Sequence, residues 1–310
     1  MSAVVQHRTS SRLCKRTWDG AVVYEKHYVT NDWDDDMDVI RRRAADELTL
    51  LNQLAASGLF KGRLGLLQIA ASDPDAAMIA THEIPGASLD QYVMQGGDVV
   101  HNLAPWFLAG RWLKAFHSIP LTERATEATS RRDPTDMVEY CGLRLDSLAE
   151  YGYNWPKTSL RHSFLETIAE LQRQVNATRY QRVWVHSDFS PGNLMWDGRT
   201  LTPIDFAMVS DGHPLADATY LIHRIEMHRV YRPWLRLPSH AIRRAVLRGL
   251  GLTESDHAAA YRMLMIKHLI CRLHTYVRRP ANSVKQAVHD RWVRGMIRRR
   301  LLRLNSADIA

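Results

Sequence analysis

One stretch beyond the middle of the chain holds residues whose types and spacing could carry out chemistry. Asp188 and Asn193 lie in the segment VHSDFSPGNL at 185–194, and Asp205 follows in the segment PIDF at 203–206. Phosphoryl transfer from a nucleotide needs a carboxylate that orients or deprotonates the attacking hydroxyl, and two oxygen ligands for magnesium. Carboxylate and amide oxygens are the ligands that magnesium prefers. The three side chains therefore predict a magnesium-dependent phosphoryl-transfer site.

Each of these residues alone has an ordinary structural explanation. Asp188 could cap a loop, Asn193 could serve a turn, and Asp205 could end a strand. The combined spacing is more specific, because short apolar strands are predicted on both sides of the polar residues. A hairpin across Asp197-Gly198 can then bring the three side chains together.

Two residues near the N-terminus support the same interpretation. Lys26 lies on the second strand of a predicted hairpin, where a lysine can reach nucleotide phosphates if a carboxylate holds it in place. Glu47 on the next long helix could supply that carboxylate, with Asp46 as a rival candidate. The ordinary alternatives are a surface lysine on an edge strand and an exposed helix acid that makes i,i+4 contacts. The downstream motif favours the functional interpretation of both residues.

The elements that must position these residues change in type along the chain. The N-terminal part alternates as strands on both sides of Asp19-Gly20, and a helix at 39–56 follows. The predicted strands of this part are 3–6, 11–18, 21–28, 64–71 and 76–82. Beyond it we predict helices at 103–118, 134–151, 160–177, 216–230, 239–250, 254–276 and 283–304. The sum is an α+β fold, with a small antiparallel-sheet N-terminal lobe at 1–82 and a larger, mainly helical C-terminal lobe at 83–310.

With these residues in view, the chain resembles the aminoglycoside phosphotransferase and choline kinase family, a small-molecule branch of the protein-kinase-like fold. The resemblance covers most of the chain. Its anchors are Lys26, Glu47, HEIPG at 82–86, HSDFSPGN at 186–193, IDF at 204–206 and DGHPLAD at 211–217. It implies a two-lobe fold with a hinge near residues 82–86, ATP and Mg2+ as cofactors, and a small-molecule hydroxyl group as acceptor.

The resemblance also implies a role for each matching residue of the phosphoryl-transfer set. Asp188 would be the catalytic base, and Asn193 and Asp205 would bind magnesium. Lys26 would contact the α- and β-phosphates of ATP and pair with Glu47.

Further implied roles concern the surroundings of that set. Backbone groups near His82, Glu83 and Ile84 would meet the adenine. His186 would brace the catalytic loop, and Asp217 would hold that loop from behind through backbone amides.

Two segments depart from the family pattern. The metal motif at 205–207 reads DFA, without the glycine of protein kinases. A glycine-rich phosphate loop is also missing, and HRTSS at 7–11 occupies its place. The hydroxyls and backbone of Ser10 and Ser11 could still offer hydrogen-bond donors to phosphates.

Charge is distributed unevenly along the chain. The 310 residues include 41 Lys and Arg against 33 Asp and Glu, a net charge of +8. Residues 218–310 hold 19 basic and 5 acidic residues, a net of +14, which leaves residues 1–217 at −6. A polycationic aminoglycoside would be repelled there unless Glu226, Glu254 and Asp256 gathered at the pocket. We therefore expect a neutral or anionic acceptor, such as a sugar, a phosphorylated metabolite or a lipid-linked glycan, with an aminoglycoside as the alternative.

The last predicted helix is basic, with apolar residues interleaved at 291–304. A weak peripheral contact with an anionic membrane is one interpretation. We favour the other, in which Trp292, Met296, Ile297 and Leu301 pack on the lobe, since amphipathicity is the default for a packed helix. We do not expect the protein to bind nucleic acid.

Composition excludes several other classes of protein. The hydrophobic fraction of 45% is that of a globular rather than a disordered chain. The 3 cysteines are far apart, which argues against a disulfide framework or a zinc module and fits a reducing compartment. No apolar run has the length of a signal peptide or a membrane span. We predict a cytoplasmic protein, with a membrane-peripheral location as the alternative.

Two competing hypotheses concern the activity itself. A protein kinase is disfavoured, because residues 207–217 are too short to dock a peptide and lack an A-P-E-like end. A catalytically silent kinase-like scaffold that binds a partner through its basic helices is disfavoured, because all five predicted phosphoryl-transfer residues are present.

Overall fold

A five-stranded antiparallel sheet forms the N-terminal part of the molecule. The computed structural model describes residues 3–7, 11–30, 36–95, 102–121, 137–178, 180–235, 237–253 and 257–306. The strands are β1 Ala3–His7, β2 Ser11–Trp18, β3 Ala21–Tyr28, β4 Ile69–Asp73 and β5 Met78–His82, in the order β1-β2-β3-β5-β4. Asp19 and Gly20 join β2 to β3 with positive φ angles of 49° and 82°, the backbone that this two-residue turn requires.

Strand β4 is shorter than predicted. The apolar pattern predicted a strand from Leu64, but the pairing with β5 begins at Ile69. The preceding residues form a connection instead, in which the Gly65 backbone N–H donates to the carbonyl of Leu201 at 2.8 Å. The Gly65 carbonyl accepts from Trp112 Nε1 at 2.9 Å. The connection is therefore apolar because it packs against the C-terminal part, not because it belongs to the sheet.

Helix α1, Met37–Ser57, packs against this sheet. The Asp36 carboxylate caps its N-terminus by accepting from the backbone N–H of Asp38 at 2.8 Å. Gly58 ends the helix with a φ of 63°, in the left-handed region that glycine adopts without strain. Glu47 lies among apolar residues on the buried face of the helix. The packing of α1 therefore carries a carboxylate into the space beside strand β3.

The rest of the chain is mainly helical. Its helices are α2 Leu89–Met94, α3 Ala104–His117, α4 Met137–Glu150, α5 Thr158–Ala177, α6 Ala216–Tyr231, α7 Ser239–Leu250, α8 Ala258–Arg278 and α9 Val284–Ser306. Its short strands are β6 Ala87–Ser88, β7 Val183–Val185, β8 Leu194–Trp196, β9 Leu201–Pro203 and β10 Ser210–Gly212. Strands β6, β8 and β9 pair in one antiparallel sheet, and β7 pairs with β10 in another. The predicted α+β fold is confirmed, although β6, α2 and β10 are too short to give a periodic sequence pattern.

Helices α3 and α7 touch backbone to backbone in the core of the C-terminal part. A Cβ atom on Gly110 would lie 2.0 Å from the carbonyl oxygen of Val246, and one on Gly249 would lie 2.1 Å from that of Phe107. Such distances are shorter than any real contact, so both positions require glycine. The crossing fixes α3, which carries the fully buried Trp112 towards the catalytic loop.

The connection between the two parts of the chain also depends on a glycine. Gly86 has a φ of 97°, and a Cβ atom there would lie 2.2 Å from the carbonyl oxygen of Trp196. The connection therefore runs directly against strand β8, which follows the predicted catalytic loop.

Helix α9 packs on the C-terminal part through one face. Ile297 and Leu301 are buried, as predicted, together with Val293. Trp292 differs from the prediction because 47% of it is exposed, although its Nε1 donates to the carbonyl of Val230 at 3.0 Å. Across the ranges that the structure describes, no helix combines the length and the apolar character needed to cross a membrane.

Candidate functional site

The predicted catalytic loop follows strand β7 and brings Asp188 and Asn193 into direct contact. Asn193 lies at the end of a short 3-10 turn, Pro191–Asn193. Its Nδ2 donates to Asp188 Oδ2 at 2.8 Å and to the Asp188 carbonyl at 2.9 Å. Because the amide nitrogen is used in this way, the amide oxygen is the atom that Asn193 can offer to a cation.

Asp217 holds the start of this loop from the first turn of helix α6. Its carboxylate is buried and accepts from the backbone N–H of His186 at 2.6 Å and of Ser187 at 2.9 Å. The helix N-terminus favours a negative charge at this position, while burial raises the pKa of Asp217 to about 7. Ser187 has a φ of 65°, a conformation that these two hydrogen bonds help to maintain.

Lys26, Glu47 and Asp205 meet between the sheet and the helical part. Lys26 Nζ lies 2.6 Å from Asp205 Oδ1 and 3.1 Å from Glu47 Oε2. The other oxygen of Glu47, Oε1, accepts from the backbone N–H of Phe206 at 3.1 Å. Glu47, and not its neighbour Asp46, therefore ties strand β3 to the predicted metal motif.

Charges compensate one another within this group. Burial lowers the pKa of Lys26, but the carboxylates of Glu47 and Asp205 outweigh it and raise that pKa overall. Lys26 therefore stays a cation. Burial raises the pKa of Glu47, and the lysine partly offsets the effect.

The donor atoms fit a magnesium ion. Asp205 offers a carboxylate and Asn193 an amide oxygen, which are the hard ligands that this ion takes. Asp205 has a φ of 67°, a costly conformation for an aspartate that is typical of functional sites. Within the described residues, no group of three His, Cys, Asp or Glu forms a ready-made metal centre. An ion bound here would complete its shell with water and phosphate oxygens, which is the usual mode for magnesium.

His186 links the catalytic loop to the metal motif. Its Nε2 donates to the carbonyl of Ile204 at 3.1 Å, and its ring centroid lies 4.7 Å from that of Phe206. Burial lowers the pKa of His186 to about 4, so the ring is neutral near pH 7.

An aromatic cluster around Trp112 packs against both the predicted catalytic loop and the predicted metal motif. The ring of Trp112 lies 5.9 Å from Phe189, next to Asp188, and 5.8 Å from Phe206, next to Asp205. One buried side chain thus contacts the residues that follow both predicted carboxylates.

The predicted hinge has only some of its backbone groups available to a ligand. The N–H of His82 donates to the carbonyl of Gln68 at 2.9 Å, and the N–H of Glu83 donates to that of Val22 at 3.0 Å. The N–H of Ile84 and the carbonyl groups of this segment are the atoms left for an adenine.

The two predicted phosphate-binding serines have different outcomes. Ser10 lies outside the described residues. Ser11 is the first residue of β2, is buried, and pairs with Tyr28 of β3.

Two residues of helix α6, Tyr220 and Arg224, reach the site although no sequence motif selects them. Burial and Asp205 raise the pKa of Asp188, whereas Asn193, the charge of Arg224 and a hydrogen bond from Tyr220 lower it. A usable signal existed, because positions 220 and 224 lie one and two turns beyond Asp217 and share a helix face with it.

Comparison with known proteins agrees with this geometry. The sequence profile of the phosphotransferase enzyme family APH matches residues 37–261. The chain belongs to this family. The predicted family resemblance is thereby confirmed, and so is the enzyme class, a phosphotransferase that acts on hydroxyl groups. No curated protein matches the chain in a sequence search.

Solved structures with a kinase-like fold superpose on most of the chain. Aminoglycoside phosphotransferase APH(2'')-Ib with bound ADP gives a TM-score of 0.59 at 17% identity, covering 96% of this chain and 92% of that one. Plasmodium vivax ethanolamine kinase gives 0.61 at 13%, covering 98% and 84%. Amicoumacin kinase in complex with AMP-PNP, Ca2+ and Ami gives 0.61 at 11%, covering 96% and 88%. At these identities the likeness shows the kinase-like fold alone, and the predicted fold is confirmed.

Proposed function

We propose that this phosphotransferase moves the γ-phosphate of ATP to a hydroxyl group of a neutral or anionic small molecule, with magnesium as cofactor. The observation that carries the proposal is the gathering of five predicted residues by contacts of 2.6–3.1 Å in two adjoining groups. These residues are Lys26, Glu47, Asp188, Asn193 and Asp205.

Each residue takes a role that its surroundings support. Asp188 orients and deprotonates the acceptor hydroxyl, and its raised pKa makes it a better proton acceptor than an ordinary aspartate. Lys26 binds the phosphates, held in place by Glu47. Asn193 and Asp205 hold the magnesium ion, which when bound neutralises charge on the transferring phosphoryl group.

The nucleotide lies between an N-terminal lobe at 1–82 and a C-terminal lobe at 83–310 in this proposal. Ile84 and the carbonyl groups around it contact the adenine, since the N–H groups of His82 and Glu83 are already used. The hydroxyl and backbone groups of Ser11 contact the phosphates in this proposal, and the same role stays predicted for Ser10, which lies outside the described residues. The bound ADP and AMP-PNP of two structural neighbours support an adenine nucleotide.

The charge of the acceptor side favours a neutral or anionic molecule over an aminoglycoside. Residues 218–310 carry a net charge of +14. Of the three acids that could have attracted a polycation, Glu226 forms an ion pair with Arg300. Glu254 and Asp256 lie outside the described residues. The cytoplasmic location stays a prediction beside this one, and a weak contact of 291–304 with an anionic membrane stays the disfavoured alternative.

The test is ATP consumption in magnesium with a panel of sugars and polyols as acceptors. We expect Asp188→Asn and Asp205→Ala to lower kcat by roughly 100-fold or more, the range typical of general-base and charge-stabilising groups. Asp75→Asn, a change at an exposed aspartate, is the matched control and should leave the rate unchanged.

Two results would overturn the proposal. If both variants turn over ATP as fast as the unchanged protein, these carboxylates are not the catalytic residues. If no adenine nucleotide binds to the unchanged protein, the silent-scaffold hypothesis replaces the enzyme.

A further inference from the structure

Helix α6 presents one polar face towards the catalytic loop. Tyr220, Arg224 and His228 follow one another at a spacing of one turn, so they share that face. Helices α2 and α6 both contact the turn that carries Asn193. His228 Nε2 lies 2.8 Å from Asp90 Oδ1 on α2, so the face also looks across to that helix. Tyr220 makes a hydrogen bond with Asp188, so this polar face adjoins the predicted catalytic base.

Arg224 acts on Asp188 and Asp90 through its charge, but forms no direct ion pair with either of them among the described residues around this face. It is half-buried, and it makes no hydrogen bond or ion pair with any residue that the structure describes. Other arginines of the C-terminal part are paired, such as Arg182 with Asp211 at 2.5 Å and Arg279 with Asp290 at 2.9 Å. The carboxylates of Asp188 and Asp90 compensate the guanidinium only through space, so the N–H groups of Arg224 can still donate to a bound anion.

Asp90, the acid of α2 beside this face, already has contacts of its own. His228 lies 2.8 Å from its Oδ1, and this hydrogen bond lowers the pKa of Asp90, with a further contribution from the charges of Arg224 and Arg232. One oxygen of the carboxylate is therefore already in use. Arg224 is the side chain beside Asp188 that stays available to an acceptor, and it is positively charged.

We propose that Arg224 binds an anionic group of the acceptor, a carboxylate or a phosphate, while Asp188 acts on a hydroxyl of the same molecule. The guanidinium fork matches two oxygens of such a group at once. Tyr220 stands one turn closer to Asp188 and lies beside the reacting hydroxyl. The inference rests on the proposed function and narrows its acceptor from neutral or anionic to anionic.

The test compares acceptors that share a carbon skeleton and differ in whether they carry an anionic group. Glycerol, glycerate and glycerol 3-phosphate form one set, and glucose, glucuronate and glucose 6-phosphate form another. We expect the anionic members to be the better substrates. Arg224→Met should lower the ratio of kcat/KM for the anionic members to kcat/KM for the neutral members on the order of 30-fold or more, a ratio that cancels any effect of the lost charge on Asp188 itself. Arg229→Met, an exposed arginine on the same helix, is the control and should keep the preference. An equal preference in Arg224→Met and unchanged protein would refute the inference.

Direct binding keeps the inference testable if none of these probes is phosphorylated. With the nucleotide site and its γ-phosphate position saturated by AMP-PNP and magnesium, calorimetry with inorganic phosphate and with glucuronate measures the anion site alone. Binding that is lost in Arg224→Met supports the site even if ATP turnover, and with it the proposed function, fails. Binding that is absent, or equal in both proteins, overturns the site whatever the turnover.

Discussion

Asp188 lies in the predicted catalytic loop, and Asp217 holds the start of that loop from helix α6. Their carboxylates nevertheless contact different partners. Asp188 is half-buried and contacts side chains that face the cleft, whereas Asp217 is fully enclosed and binds two backbone N–H groups. Substitution of Asp217 thus changes where Asp188 lies without changing any group that touches a substrate.

We expect Asp217→Asn to lower kcat roughly 10–100-fold, because an amide can accept from only one side and would turn its NH2 group towards a backbone donor. Affinity for ATP, measured by calorimetry, should change little, since Lys26 and Glu47 are untouched. Asp75→Asn provides the control at an exposed position. Unchanged kcat in Asp217→Asn would show that the loop keeps its geometry without this carboxylate.

Single residues were predictable where a motif fixed them, and not otherwise. The spacing of Asp188, Asn193 and Asp205 along the chain is enough to select all three. The choice between Asp46 and Glu47 needed the packing of α1, because adjacent helix positions point in directions about 100° apart. Arg224 was not selected, because a lone arginine in a basic segment stands out only once its place two turns beyond Asp217 on the same helix face is considered.

At the level of elements, the crossing of helices α3 and α7 brings two backbones into direct contact. Their backbones meet at Gly110 and Gly249, where even a methyl group has no space. The crossing fixes the position of α3, and with it the position of Trp112 against the catalytic loop.

Gly110→Ala should therefore lower the free energy of unfolding by roughly 1–3 kcal/mol or more, as expected for an overpacked core, measured by urea denaturation. Gly295→Ala is the matched control, because its Cβ atom would meet nothing within 4 Å. That change removes a glycine from helix α9 and should raise stability by about 0.5–1 kcal/mol. Equal effects of the two substitutions would contradict the close approach of α3 and α7.

Elements were predictable in proportion to their length. Long helices and the Asp-Gly hairpin showed clear periodicity, whereas β6 and β10 have only 2 and 3 residues. The strand predicted at 64–71 was wrong over its first part. An apolar run indicates that its residues are buried, but it does not show whether they pair in a sheet or pack as a connection.

The whole molecule contains several buried histidines that stay neutral. Burial lowers the pKa of His117, His186 and His213 to about 4 and that of His268 to about 3. His213 has a further reason to stay neutral. Its Nδ1 accepts a hydrogen bond from the backbone N–H of Leu215 at 3.1 Å, and protonation would break this bond.

Acid should therefore destabilise the fold. Between pH 6.5 and about 4 the unfolded chain binds more protons at these histidines than the folded one, so stability falls as pH falls. Asp217 acts in the opposite direction, because its raised pKa makes stability fall as pH rises from about 4 to 7. The histidines are more numerous, so we expect Tm to drop steeply below pH 6.5.

A pH series of Tm values checks this expectation. His268→Gln should flatten the acid side of the curve, because it removes one of the protonation sites. His162→Gln, at a histidine whose side chain is 75% exposed, should leave the curve unchanged. A Tm that stays constant from pH 7 to 5 would contradict the neutral, buried state of these rings.

At this scale the sequence predicted the two-part organisation and the class of chemistry but not the acceptor side. The predicted phosphoryl-transfer residues lie on short, locally determined segments. The proposed acceptor side combines α2 and α6, whose contact depends on tertiary packing. Asp90 and His228 have no relation in sequence that would predict their contact.

The position of Trp112 has a consequence for how natural and laboratory variants of this protein should be interpreted. Its ring contacts Phe189 and Phe206, and its indole N–H is fixed by Gly65. A smaller residue at 112 would disturb both carboxylate loops at once. In a mutational scan scored by activity, position 112 would therefore rank with the active-site residues although it lies beyond the reach of any substrate. A position in this enzyme can therefore be intolerant to substitution because it packs against the catalytic loops, and not only because it takes part in the reaction.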